Sequence, residues 1–254
     1  MQVVILAGGL GTRLSEETEK IPKPMVRIGD LPILLHIMKY YASFGHSDFL
    51  IALGYKGFVI EEYFSHHAQK DSVGTSDGVF RFKSGGLQDD SKTWNVQLLD
   101  TGLETQTGGR ILKLMEYLDP EFLLTYGDGL SNVNLDSLIR HHKSLGRIAT
   151  VTAVRPPARF GSLSIENDLV KRFSEKNPQD VGWINGGFFC FSKEICDYIP
   201  GFEASLEGVP LEKLVSENQL AAYRHEGFWQ PMDTLRDKNT LEMLWVEGNA
   251  PWTL

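Results

Sequence analysis

The chain has 254 residues, 42% of them hydrophobic and 23% charged, which suits an α/β domain of ordinary size with a substantial core. Twenty-five basic against thirty-three acidic residues leave a net charge of −8, and a field of that sign disfavours nucleic acid as a partner. No apolar run reaches the ~20 residues of a membrane span, so no membrane association is expected; the only cysteines, Cys190 and Cys196, make no disulfide framework, neither is expected to bind metal or act as a nucleophile, and Cys190, inside the apolar stretch Phe188 to Phe191, reads as core packing.

In chain order, Val3 to Leu6 is an apolar run of the kind buried on both faces of a sheet. The opening MQVVILAGG lacks a basic leader, so it reads as that first strand and not as a signal peptide, and a cytoplasmic protein is expected. Ile33, Ile37, Tyr40, Tyr41 and Phe44 recur at helical spacing and predict a helix over 33–44. Phe49 to Leu53 is a second strand and Val59 to Phe64 a short helix. Residues from about Asp71 to Ser91 are polar and rich in Gly and Ser, which predicts a loop excursion at the sheet edge. Phe122 to Tyr126 is a third buried strand, Leu135 to Leu145 a helix and Ala149 to Val154 a strand. Beyond it the pattern turns β-rich, with strands over Ser162 to Ile165, Val170 to Phe173 and Phe188 to Phe191, and a last helix over Thr234 to Val246. The β–α–β rhythm predicts a mostly parallel, doubly wound α/β sheet. We expect a single domain over 1–254, with no linker between equal halves.

The most informative stretch follows the first strand directly: Leu6-Ala7-Gly8-Gly9-Leu10-Gly11-Thr12-Arg13. In open α/β sheets ligands bind beyond the carboxyl ends of the strands. Glycines let the backbone approach a ligand and aim successive N–H groups at one anion. Arg13 adds a fork suited to phosphate oxygens. Lys23, between Pro22 and Pro24, brings a second cation on a stiffened segment. The loop is not a P-loop, because Thr12-Arg13 follows Gly11 where Lys-Ser/Thr is required, and the dinucleotide fingerprint fails at Leu14.

These residues, with Leu14 and Pro22-Lys23-Pro24-Met25, resemble the signature of the nucleotide-sugar pyrophosphorylases. The resemblance implies a Rossmann-like fold of the nucleotide-diphospho-sugar transferase type. It also implies a loop that wraps a nucleoside triphosphate, with Arg13 and Lys23 on its phosphates. Residues 1–150 would bind nucleotide, and a β-rich part, 151–254, would bind sugar.

Asp128, in Tyr126-Gly127-Asp128-Gly129, stands at a strand end between glycines, and a hard cation such as Mg²⁺ takes one or two carboxylates plus substrate phosphates. The resemblance assigns metal binding to Asp128 and Asp233. Asp233 is equally suited to cap the helix that begins near Thr234. For the sugar side, the resemblance points to Gly161, Glu175, Lys176, Asn185, Gly186 and Gly187. Asn177 interrupts the family's usual Glu-Lys-Pro order, and the glycine pair 186–187 also fits a β-bulge.

Further blocks, Gly54-Tyr55-Lys56-Gly57, Trp94 to Val96, Asp100 to Gly102 and Thr107 to Arg110, bring the chain nearest to the cytidylyltransferases of that family. In them the segment matching Thr105 to Arg110, together with Gly127, helps hold CTP. Arg110 could otherwise be a surface charge at a helix start, where a cation is poorly placed for the dipole. The resemblance thus implies Mg²⁺-dependent transfer from CTP to glucose 1-phosphate, with Lys23 on the triphosphate and Lys176 on the acceptor, in a homo-oligomer. The same reaction with UTP or dTTP, a nucleotide-sugar-dependent glycosyltransferase, and an inactive nucleotide-sugar-binding subunit are the rivals.

Overall fold

A computed structural model describes residues 1–11, 14, 18–71, 79–83, 93–156, 162–166, 169–174 and 182–253. In chain order its elements are β1 (Gln2–Leu6), β2 (Arg27–Ile28), β3 (Leu31–Pro32), α1 (Ile33–Ser43), β4 (Asp48–Leu53), α2 (Gly57–Asp71), β5 (Val79–Lys83), β6 (Thr93–Asp100) and α3 (Thr107–Lys113). There follow β7 (Glu121–Tyr126), β8 (Gly129–Ser131), α4 (Leu135–Leu145), β9 (Ala149–Val154), β10 (Ser162–Glu166), β11 (Leu169–Ser174), β12 (Ile184–Ser192), α5 (Val209–Ser216), β13 (Leu220–His225), β14 (Trp229–Pro231) and α6 (Leu235–Val246).

Among the described residues one eight-stranded sheet, ordered β13-β9-β12-β7-β1-β4-β6-β5, organises the molecule. Parallel pairing joins β13 to β9, β7 to β1, β1 to β4 and β4 to β6, while β12 and β5 run against their neighbours. Every residue of β1 is buried. Val3 and Ile5 face a core shared with α1, Phe64 of α2, Leu138 of α4 and Leu241 of α6. Val4 and Leu6 face a second core with Ile111 of α3, Ile195 and Leu214 of α5. Burial on both faces explains the unbroken apolar run, since a strand sandwiched between helix layers has no solvent side on which to alternate.

The mostly parallel, doubly wound α/β sheet expected from the sequence is the sheet observed, and β1, α1, β4, β7, α4 and β9 fall within a residue or so of their expected spans. Three expectations need correction. The excursion over Asp71 to Ser91 is not all loop: β5 lies inside it and pairs antiparallel with β6 at the sheet edge, while 72–78 and 84–91 lie outside the described residues. The helix expected over Val59 to Phe64 runs over 57–71, because its polar tail, Ser65-His66-His67, carries no apolar period. The strand expected over Phe188 to Phe191 starts four residues earlier, at Ile184, and holds the glycine pair inside it.

Candidate active site

The carboxyl ends of β1 and β7, the start of α3 and the start of β12 enclose a cleft of about 520 Å³. Leu6, Ala7, Gly8, Gly9, Gly11, Lys23, Thr105, Arg110, Gly127, Asp128, Asn185, Gly186, Gly187 and Asp233 all line it. Leu10 is exposed and is not among the lining residues. Thr12, Arg13, Gly161, Glu175 and Lys176 lie outside the described residues.

The glycine loop is held from behind. Arg110 is only 4% exposed and sits in the last turn of α3, not at a helix start, so the surface-charge reading is overturned. Its guanidinium donates to the carbonyls of Gly8 (2.8 Å), Leu53 (2.8 Å) and Gly102 (3.0 Å) and to the Thr101 hydroxyl. One planar fork thus ties the carboxyl ends of β1, β4 and β6 together, a task that needs divergent donors on one rigid group. Burial lowers the Arg110 pKa, and nearby Asp100 opposes that. A Cβ on Gly8 would stand 2.3 Å from the Arg110 guanidinium carbon, so only glycine lets the clamp close. Thr105 is buried at the mouth of α3, its hydroxyl donating to the Thr101 carbonyl.

At the centre Lys23 joins the two acids. It lies in a short 3-10 turn, Lys23–Met25, is 8% exposed, and its Nζ donates to Asp128 Oδ2 at 2.7 Å and Asp233 Oδ1 at 2.8 Å. The Met232 amide donates to the Asp128 carbonyl at 2.8 Å, which brings the β14–α6 junction, and so Asp233, beside the β7 end. Burial works against the Lys23 charge, but Asp128 and Asp233 outweigh it and raise the pKa, so the ammonium stays charged. Asp233 is not the cap of α6. Thr234 is, in a capping box with Asp237, which leaves the Asp233 carboxylate facing Lys23.

The two carboxylates therefore converge on a single cation-sized position. Among the described residues no group of three or more His, Cys, Asp or Glu gathers anywhere. Two protein oxygens with the remaining positions left to phosphate and water is the donor set a hard divalent cation such as Mg²⁺ accepts, and Asp128 and Asp233 fit it.

On the opposite wall the register of β12 against β9 shifts between Asn185 and Phe189, so the bulge reading of the glycine pair holds, and both glycines also line the cleft. Gly187 has φ +77° and packs so closely that a Cβ would meet the Tyr126 ring at 2.5 Å. Its N–H donates to Asn185 Oδ1 at 2.8 Å, and Trp229 Nε1 donates to the Gly186 carbonyl at 2.7 Å. Sequence reasoning missed Tyr126 and Trp229 as lining residues, while Thr107 falls in the segment matched to CTP binding. Tyr126 was within reach, since it ends β7 directly before Gly127-Asp128.

Comparison with known proteins gives a consistent picture. The profile of the family described as "Nucleotidyl transferase" matches residues 2–234. The chain is 48% identical to a glucose-1-phosphate cytidylyltransferase of Salmonella typhi over 99% of this chain and 98% of that one. It is 44% identical to a probable glucose-1-phosphate cytidylyltransferase of Bacillus subtilis over 99% of each. Among solved structures, HddC from Yersinia pseudotuberculosis complexed with GMP-PN superposes with a TM-score of 0.68 at 27% identity, over 96% of this chain and 99% of that one.

Proposed function

Because this chain belongs to the nucleotidyl transferase family, we propose that it transfers a cytidylyl group from CTP to α-D-glucose 1-phosphate, giving CDP-glucose and pyrophosphate. The observation that carries the chemistry is the meeting of Lys23, Asp128 and Asp233 between the glycine loop and the Asn185–Gly187 wall. The choice of CTP and glucose 1-phosphate rests on relatives 44–48% identical over nearly the whole chain.

In this reaction an oxygen of the sugar phosphate attacks the α-phosphorus of CTP in line. The α–β bridging bond breaks, and its electron pair leaves on pyrophosphate. The sugar phosphate is largely ionised at neutral pH, its second pKa being about 6, so no general base is required. What the protein must supply is alignment of two anions and relief of their repulsion. The glycine loop turns backbone N–H groups toward the triphosphate, with its curvature fixed by Arg110. Lys23 orients the triphosphate, Arg13 steadies the departing pyrophosphate and Lys176 pairs with the acceptor phosphate. Asn185 and the backbone of Gly186 and Gly187, with Gly161 and Glu175, read the sugar. Mg²⁺ held by Asp128 and Asp233 would neutralise charge shared between the phosphates.

Residues 1–150 form the nucleotide half and 151–254 the sugar half of one domain, with Asp233 reaching back to serve the first. The same reading takes the protein as a cytoplasmic homo-oligomer. Among the described residues no helix is long and apolar enough to cross a membrane.

A panel of CTP, UTP, dTTP, ATP and GTP with glucose 1-phosphate, scored by pyrophosphate release and product identity, tests the reading. CTP should exceed the others by at least about 100-fold, below the roughly 10⁴-fold that a site hydrogen-bonded to one partner reaches. Preference for UTP or dTTP would change the base and keep the chemistry. No pyrophosphate with any of them would refute the class.

A further inference from the structure

Beside the cleft stands a carboxylate that the reaction scheme above does not use. Glu207 lies in the loop before α5, exposed, and is not among the cleft-lining residues. Yet its two oxygens gather three side-chain hydroxyls. Oε1 accepts from the Tyr126 hydroxyl, and Oε2 accepts from Thr107 Oγ1 at 2.7 Å and from Ser205 Oγ at 2.5 Å. Thr107 Oγ1 also accepts from the Leu206 amide at 2.8 Å, so the loop bearing Glu207 is pinned to the first residue of α3. The residue is exposed but its carboxylate is partly desolvated by the hydroxyls around it, which pulls the pKa upward; the bonds from Ser205, Tyr126 and Thr107 outweigh this and lower it, so the group is held ionised.

The direction of these bonds carries the argument. Asn185 uses Oδ1 to accept from the Gly187 amide at 2.8 Å, which fixes its amide and turns its NH₂ group toward Tyr126. Nδ2 then donates to Tyr126 Oη over a long 3.4 Å contact. That contact requires the tyrosine hydroxyl to offer a lone pair and not its proton. An ionised carboxylate has no proton to give, so Glu207 obliges Tyr126 to donate outward and present its lone pair to Asn185. The chain Asn185 → Tyr126 → Glu207 has one polarity, and Glu207 sets it. The second Asn185 N–H remains for a ligand in the cleft.

We infer that Glu207 is a positioning residue for the sugar phosphate: through Tyr126 it fixes the orientation of the Asn185 amide that meets the acceptor substrate. This rests on the proposed function and adds to it a residue outside the cleft wall. The Tyr126–Asn185 arm stands apart from the glycine loop and acts on the acceptor; the other Glu207 oxygen also holds Thr107, in the segment matched to CTP binding, and Tyr126→Phe leaves that bond in place.

The test uses the full-length enzyme and the variants Glu207→Ala, Glu207→Gln, Tyr126→Phe and the double variant Glu207→Ala/Tyr126→Phe. KM is measured for each substrate in turn, with thermal melting as a fold control. Glu207→Ala and Tyr126→Phe should each raise KM for glucose 1-phosphate about fivefold, the worth of one hydrogen bond, while in Tyr126→Phe KM for CTP stays within about twofold. The double variant should be no worse than Tyr126→Phe alone, because both break one chain. Glu207→Gln, whose amide oxygen still accepts from Tyr126, should recover most of the loss. An unchanged KM for glucose 1-phosphate in an active Glu207→Ala enzyme, multiplying effects in the double variant, or an equal rise in KM for CTP in Tyr126→Phe would each overturn the inference. If wild type makes no CDP-glucose, the proposed function is what falls. Tyr126→Phe is the variant that keeps the test decisive if Glu207→Ala melts early, since it removes a single oxygen.

Discussion

Replacing Lys23 by Met probes the centre of the cleft, because it removes the one charge that separates two others. The carboxylate oxygens of Asp128 and Asp233 lie 2.7 and 2.8 Å from Nζ, and so at most about 5.5 Å from each other. At an effective dielectric of 20, two like charges at that separation repel by about 3 kcal/mol. The aspartate side chains are 30% and 26% exposed, so solvent screens part of this, and about 2 kcal/mol is a fair net loss. Methionine matches the lysine stem, so packing is conserved and electrostatics is isolated. For a chain of this size the loss should lower Tm by roughly 4–8 °C in EDTA. A divalent cation should then return most of that to Lys23→Met, since it takes the place of the ammonium between the carboxylates. Wild type, whose acids are already neutralised in part, should gain little from Mg²⁺ alone. Thermal unfolding of both proteins, in EDTA and in millimolar Mg²⁺, reads all four states. If the variant melts with wild type in EDTA, or if Mg²⁺ raises both equally, the three groups do not share one position and the metal assignment of Asp128 and Asp233 loses its support.

Two further outcomes follow from groups outside that triad. Arg110→Lys keeps the charge but offers three donors from a single nitrogen, too few and too close together to serve Gly8, Leu53, Thr101 and Gly102 at once. It should cost about 2–4 kcal/mol in urea unfolding through stranded buried carbonyls and raise KM for CTP, and a variant equal to wild type in both would refute the clamp. His36, His46, His142 and His225 all have pKa values lowered, burial being the first cause in each. A base whose folded pKa lies below its ordinary value, about 6.5, binds fewer protons folded than unfolded. Stability should therefore be full above about pH 6.5 and fall as pH drops through the folded values, and urea midpoints equal at pH 7.5 and 5.5 would refute this. His36 is the sharpest case, since its Nδ1 accepts from Trp252 Nε1 at 3.2 Å and protonation there would oppose that bond.

Local signals explain what the sequence disclosed. β1, α1, α4 and β9 carry uninterrupted apolar runs or a clear helical period, and those are properties of a dozen neighbouring residues at most. β6, Thr-Trp-Asn-Val-Gln-Leu-Leu-Asp, enters the sequence reading only as a family match, although Thr93 to Leu98 alternate polar and apolar as a half-buried strand does, a signal that was there to use. α3 opens on Thr-Gly-Gly, whose poor helix propensity hides it until the packing of Ile111 is known. At the site, the residue types were legible and their pairing was not. Lys23 meets partners 105 and 210 positions away, and no periodicity carries that distance. Arg110 looked like a charge in need of a ligand because its four acceptors come from residues 8, 53, 101 and 102, three strand ends that the chain alone does not bring together.

On the proposed reading, the antiparallel β12 lets both substrates meet at one edge of the sheet. Parallel strands β1 and β7 deliver their carboxyl ends, with the glycine loop and Gly127-Asp128, to one side of the sheet. Another parallel strand would have to cross the whole sheet before offering its own end there. A strand running the other way begins where its neighbours finish. Phe188 pairs with Thr125 and Ile184 with Val154, so the first residues of β12 emerge beside the last of β7 and β9. The bulge at Gly186-Gly187 then shifts the register between Asn185 and Phe189, so that Ile184 and Asn185 stay paired with β9, Asn185 reaches Tyr126, and Phe188 to Phe191 stay in the core. The reversal of one strand thus brings the acceptor wall within hydrogen-bonding reach of the strand end that carries Asp128. Lengthening the bulge by a residue should uncouple the two walls while leaving both cores intact.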